Sequence, residues 1–141
     1  ATTEFYTLSL HDALPISDGP LAGRDWVTWQ EAAHIPLCLL TANMHNRQTI
    51  DNVFSSIGQR PRPSLEADSV ISILAHVAAG HWSSIVPRAI LERIGTPPGV
   101  SALELREPLV EWATGLLVLD RPTRPPMVGA LLAEAALLGD T

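Results

Sequence analysis

The chain has 141 residues, of which 46% are hydrophobic, with a single cysteine and a formal charge of −6. That is the size of one modest domain with its own core; one cysteine excludes an internal disulfide framework, and the acidic balance argues against a direct grip on a phosphate backbone. No run of about 18 apolar residues is present to span a bilayer, and no basic-then-apolar leader opens the chain, so the expectation is a protein with no membrane contact.

In chain order, the first stretch of note is FYTLSLHDALPIS, residues 5–17. It sets Ser9, His11 and Asp12 almost side by side, the residue types of a hydrolytic triad. A triad needs its base between nucleophile and carboxylate on separately held elements, and neighbours in a strand or helix point apart. No G-x-S-x-G elbow surrounds Ser9. The expectation is no catalytic residue here. All nine basic residues are Arg and the first is Arg24, a bias of GC-rich coding DNA that this opening does not share. Residues 1–17, ATTEFYTLSLHDALPIS, resemble the peptide obtained by translating a sequencing-library adapter. They are therefore expected to be a non-native tail and are set aside for the fold, with the native sequence starting near Asp18.

From there, Trp26 to Ala33 suits a short helix with Thr28 as cap and Glu31 as its capping-box partner. IPLCLLT, residues 35–41, is a Pro-fronted apolar run that suits a buried strand. Asn43 can cap a helix through Ile57, with Ile50, Val53, Phe54 and Ile57 on one face and Gly58 at its end. After Arg-Pro-Arg-Pro, SLEAD is a short extended segment, and Ser69 caps a helix striped by Val70, Ile73, Leu74 and Val77 before Gly80. WSSIVP reads as a strand, RAILERIG as a helical turn, VSALEL and WATGLLVLD as strands. RPTRPP opens a last helix over Met127–Leu138. Strand and helix alternate from residue 35, which predicts an α/β fold with helices covering a mostly parallel sheet.

As a set, the Pro36-Leu37-Cys38-Leu39-Leu40 strand, the Arg47-x-x-Ile50-Asp51 helix, the Glu66–Gly80 helix with Ser69, Leu74 and Val77, and the Ile85-Val86-Pro87 strand end resemble the effector-binding domain of LysR-type bacterial transcriptional regulators. The resemblance runs from Pro20 to Ala136. It implies a partial periplasmic-binding-protein-like domain of type 2, with a complete second subdomain at 36–82 and the C-terminal elements of the first at 83–138, after a crossover. It also implies that the first subdomain's opening elements and an N-terminal helix-turn-helix are absent from this stretch. The second hinge reads Gly80-His81-Trp82-Ser83-Ser84-Ile85, without the family's second glycine.

What the resemblance implies for function is a small anionic effector, homo-oligomers of the full-length protein, DNA contact only through the absent domain, and a cytoplasmic location. Free N–H groups at helix starts favour such an effector. On that reading Thr41, Asn43 and Ser69 are the expected effector contacts, beside a plain capping role for Asn43 and Ser69. Arg47, Ile50 and Phe54 are the expected dimer contacts, the alternative for that stripe being ordinary packing within the subunit, and Arg47 and Asp51 are also readable as a surface ion pair. No cofactor is expected. His34, His45, His76 and His81 lack metal-ligand spacing, and Cys38 inside an apolar strand reads as an inert core thiol. The alternative from another class is the periplasmic solute-binding protein of a transporter, which shares the fold.

Overall fold

A computed structural model describes residues 2–8, 11–15, 19–110, 112–119 and 125–139. In chain order the elements are β1 (Thr2–Leu8), β2 (His11–Leu14), β3 (Trp26–Thr28), α1 (Trp29–Ala32), β4 (Cys38–Leu40), α2 (His45–Ser56) and β5 (Leu65–Ala67). There follow α3 (Val70–Ala78), β6 (Ser84–Pro87), α4 (Arg88–Ile94), β7 (Leu103–Arg106), β8 (Trp112–Val118) and α5 (Pro126–Gly139). They fall into two compact units, Leu10–Val110 and Ala1–Ser9 with Glu111–Thr141. The larger unit runs on through β6, α4 and β7, and both of these strands are laddered into its sheet.

In the larger unit the strand order is β3-β7-β2-β6, and an isolated parallel bridge from Leu37 to Ser83 sets the β4–β5 pair beside β6. Pairings among strands after residue 25 are parallel: β3 with β7, β4 with β5, and that bridge. Only β2 runs antiparallel to its neighbours here. Strands from residue 35 onward pair with one another in parallel, as expected, while β6, β7 and β8 also pair antiparallel with strands of residues 1–17. Setting residues 1–17 aside, however, left out β2 at the middle of this sheet and β1, which pairs with β8 in the smaller unit. Trp26 and Val27 are likewise strand rather than helix, since β3 runs straight into α1.

Alternation along the central strands explains why they are apolar throughout. Leu37, Leu39 and Ile85 enter one buried cluster with Val27, Trp29, Ile50, Phe54, Leu103 and Leu105. Cys38, Leu40 and Val86 face the other way, into a cluster with Ile73, Leu74, Val77 and Leu91. Strands covered on both faces need both registers apolar. The helix starts are locally encoded. Thr28 caps α1 by accepting from the Glu31 N–H, while the Glu31 carboxylate accepts from the Thr28 N–H at 2.9 Å. Gly58, at φ 73°, ends α2 in the left-handed region where a side chain is strained.

Candidate functional site

Parallel strands β4 and β5 end side by side, with Leu40 in register with Ala67. Each runs directly into a helix start. The Thr41 N–H donates to the Ala67 carbonyl at 3.0 Å, and the Thr41 carbonyl accepts from the Met44 N–H at 2.9 Å. The turn at 41–44 and the turn at 68–69 are therefore neighbours at one end of the sheet. There the positive dipole ends of α2 and α3 lie together, the usual setting for polar and anionic ligand groups.

Of the residues expected there, Thr41 is half-buried, Asn43 is exposed and Ser69 is half-buried. Ser69 caps α3 as expected, its Oγ accepting from the Ser72 N–H at 3.1 Å. Asn43 does not cap α2: the capping position is Met44, which makes no side-chain capping bond. The chain takes an extra turn residue before the helix, which leaves Asn43 on the surface. Asp68 is exposed in the second turn and puts a carboxylate next to Ser69.

The expected dimer contacts turn inward. Ile50 is 0% exposed and Phe54 1%, and Phe54 meets the Trp29 ring edge-on at a centroid distance of 5.2 Å. A side chain with no exposed surface offers none to a partner, so α2 uses its apolar stripe on its own subunit. Arg47 is buried too, rather than half of a surface pair. Its Nε donates to both Asp51 carboxylate oxygens at 2.9 and 3.0 Å, and its Nη1 donates to Glu66 and, at 2.8 Å, to the Leu40 carbonyl. Burial by itself would lower the Arg47 pKa; the hydrogen bonds it donates to Glu66 and Asp51 outweigh it and raise the guanidinium above its ordinary value. The sequence carried a faint signal of this in Arg47 preceding Asp51 by one turn, but Glu66 is remote in the chain.

A second ionic group lies at the β3 end of the sheet. Arg24 donates to both Glu31 oxygens at 2.8 and 3.1 Å, and Arg24 and Arg106 stack on the Trp26 ring at 5.4 and 5.3 Å. Hydrogen bonds from Arg24, then from the Thr28 backbone, bring Glu31 down to about 2. At the opposite end of β4 and β6 from Thr41, a cavity of about 200 Å³ is lined by Ile35, Pro36, Trp82 and Leu21 among others. Its lining is mostly apolar and includes His81. His76 and His81 both stand edge-on to Trp82, at 5.7 and 5.6 Å. Cys38 is buried, and that burial pushes its thiol pKa up. Among the described residues no group of three or more His, Cys, Asp or Glu could hold a metal ion, and no helix is long and apolar enough to cross a membrane. Ser9 lies outside the described residues. His11 and Asp12 are described only as consecutive positions of β2.

Residues 12–137 match the family model of the LysR substrate binding domain. The chain belongs to that family. The match begins at residue 12, so it takes in part of the adapter-like stretch as well as everything from Pro20 to Ala136. Among solved structures, the chain is similar to the effector-binding domain of QuiR in complex with shikimate, at 21% identity and a TM-score of 0.77, covering 98% of this chain and 66% of that one. The regulatory domain of CcmR from Synechocystis PCC6803, in complex with 2-PG, gives 17% identity and a TM-score of 0.74 over 97% of this chain and 67% of that one. Full-length CbnR complexed with its target DNA gives 16% identity and a TM-score of 0.74, covering 96% of this chain and 48% of that one. This LysR substrate-binding domain therefore has the type 2 periplasmic-binding-protein-like α/β fold, and it spans 66% of the QuiR domain and about half of full-length CbnR.

Proposed function

We propose that the chain is the effector-sensing part of a cytoplasmic LysR-type transcriptional regulator, without catalytic activity, whose DNA contact is made by a separate domain. The observation that carries this reading is the pairing of the α2 and α3 starts at the adjacent ends of β4 and β5, in a chain of this family. Thr41, Asn43 and Ser69 offer hydroxyl and amide groups beside the two dipole ends, suited to a small carboxylate-bearing or hydroxylated molecule. QuiR and CcmR, which share the fold, are complexed with shikimate and 2-PG respectively, molecules of that size class. Family membership favours this reading over a transporter's solute-binding protein. Effector binding biases the subdomain arrangement by its differential affinity for the alternatives, and a homo-oligomer passes that bias to DNA. With Arg47, Ile50 and Phe54 inside, the partner-facing surface of α2 is its polar side, where His45, Gln48, Asn52 and Ser55 are exposed.

The test is an amide-resolved NMR titration with a panel of small carboxylates and polyols, shikimate included. The reading expects saturable shifts centred on Thr41, Asn43 and Ser69, lost in Thr41→Val. Saturable binding that leaves those three amides unmoved would overturn the site.

A further inference from the structure

Arg47 lies in the first turn of α2, where the helix dipole disfavours a cation, and it is nonetheless only 7% exposed. A guanidinium out of water persists only where its donors are used. Here they reach three different elements. Asp51 is one turn further along α2, Glu66 is the middle residue of β5, and Leu40 is the last residue of β4. The peptide group joining Leu40 to Thr41 is thereby held from both sides. Its carbonyl accepts from Arg47 Nη1 at 2.8 Å, and its N–H donates to the Ala67 carbonyl at 3.0 Å.

We propose that Arg47 is a positioning residue for the 41–44 turn: one guanidinium fixes the Leu40–Thr41 peptide and the start of α2 relative to each other, and so sets the geometry in which the turn presents its polar groups. The proposal rests on the effector reading of that turn, but its test uses no effector. The two carboxylates that hold the guanidinium, Asp51 and Glu66, have side chains 44% and 45% exposed. With two anions to one cation, neutralising either leaves Arg47 a charged partner, whereas neutralising both releases it. The device is therefore redundant in its anions and singular in its cation.

The experiment is amide hydrogen exchange on the full chain in wild type, Asp51→Asn, Glu66→Gln, the double variant, Arg47→Lys and Arg47→Met. The reporters are the Thr41 and Met44 amides, bonded to Ala67 and Thr41; the controls are the Cys38 and Ala79 amides, bonded to Ser83 and Ala75. In the double variant and in Arg47→Met, both reporters exchange at least about tenfold faster while the controls stay within about twofold. Arg47→Lys falls between, because it keeps the charge and loses the planar fork. The idea is overturned if the reporters keep their wild-type rates in the double variant. It is equally overturned if reporters and controls accelerate together, which would make Arg47 a support of the whole unit. Should Arg47→Met fail to fold, the double variant, which retains the arginine, decides alone. An absence of ligand-induced shifts at Thr41 would refute the effector reading and leave this exchange pattern unchanged.

Discussion

Truncating Phe54 separates a core role from a partner contact. The ring is 1% exposed, packs edge-on to Trp29 at 5.2 Å, and shares a cluster with Leu37, Leu39, Ile50, Ile85, Leu103 and Leu105. Phe54→Ala removes a buried aromatic that its rigid neighbours cannot collapse around, a change that costs about 3–5 kcal/mol. Of that, about 0.5–1.5 kcal/mol belongs to the aromatic pair itself. With a urea slope of about 1–3 kcal/mol/M, the midpoint falls by about 2 M. That is a large part of the roughly 5–15 kcal/mol that holds a domain of this size together. The assay is urea unfolding followed by far-ultraviolet circular dichroism, at two protein concentrations. A loss under about 1 kcal/mol with an unchanged slope, joined to weaker self-association, would put Phe54 back on a partner surface and refute the packing argument.

Three further outcomes follow from the same geometry. Glu31→Gln lowers stability at neutral pH by about 1 kcal/mol, a figure discounted because the Glu31 and Arg24 side chains are 43% and 34% exposed. Because the folded carboxyl is lowered from 4.5 to about 2, its contribution is full above the unfolded value and fades as pH falls toward 2. Melting curves at pH 7 and pH 3 should thus show the wild-type advantage shrinking, and an advantage that grows in acid would contradict the linkage. Cys38 stays unmodified by iodoacetamide in the folded chain and reacts once urea is added, as a buried thiol with a raised pKa requires. Mass spectrometry reads both states, and rapid native labelling would show β4 to be open. Deleting residues 1–17 uncovers the β2-facing edges of β6 and β7 and removes the buried Ala13, so the melting temperature drops and gel-filtration profiles broaden. An unchanged melt would show that β2 contributes nothing to the larger unit.

What could be read from the sequence was whatever is encoded within about one turn of chain. The Thr28/Glu31 capping box, the Ser69 cap, the α3 stripe and the Pro-Leu-Cys-Leu-Leu strand all depend on neighbours a few residues away, and the fold class followed from their alternation. Asn43 was misassigned as a cap because Asn and the following Met differ by one position, and the helix start is decided by the Thr41–Met44 turn bond rather than by the better capping side chain. The family resemblance assigns Arg47, Ile50 and Phe54 to a partner, against ordinary packing within the subunit, and a helical stripe by itself does not choose between the two because it declares only that something covers it. That β4 and Trp29 do the covering is a tertiary fact. The same holds for Glu66, nineteen residues from the arginine it holds.

Residues 11–14 form β2, which lies between β7 and β6. Without β2, β6 and β7 would each present an open ladder edge toward the other, and the N–H and C=O groups along both would need partners. Any extended segment within reach satisfies that demand, since ladder bonds are made by backbone atoms and are blind to side chains. His-Asp-Ala-Leu is a poor sequence for a central strand, where β-branched and large apolar residues are favoured. Its one described side chain, Ala13, places a single methyl between the Ile85 and Leu103 strands, where neighbouring positions carry full aliphatic groups. The match to the family from residue 12 takes in most of β2, and the likeness of residues 1–17 to an adapter translation concerns the same residues. The origin of the segment is a property of the source DNA across the opening codons, and the sheet would accept either answer.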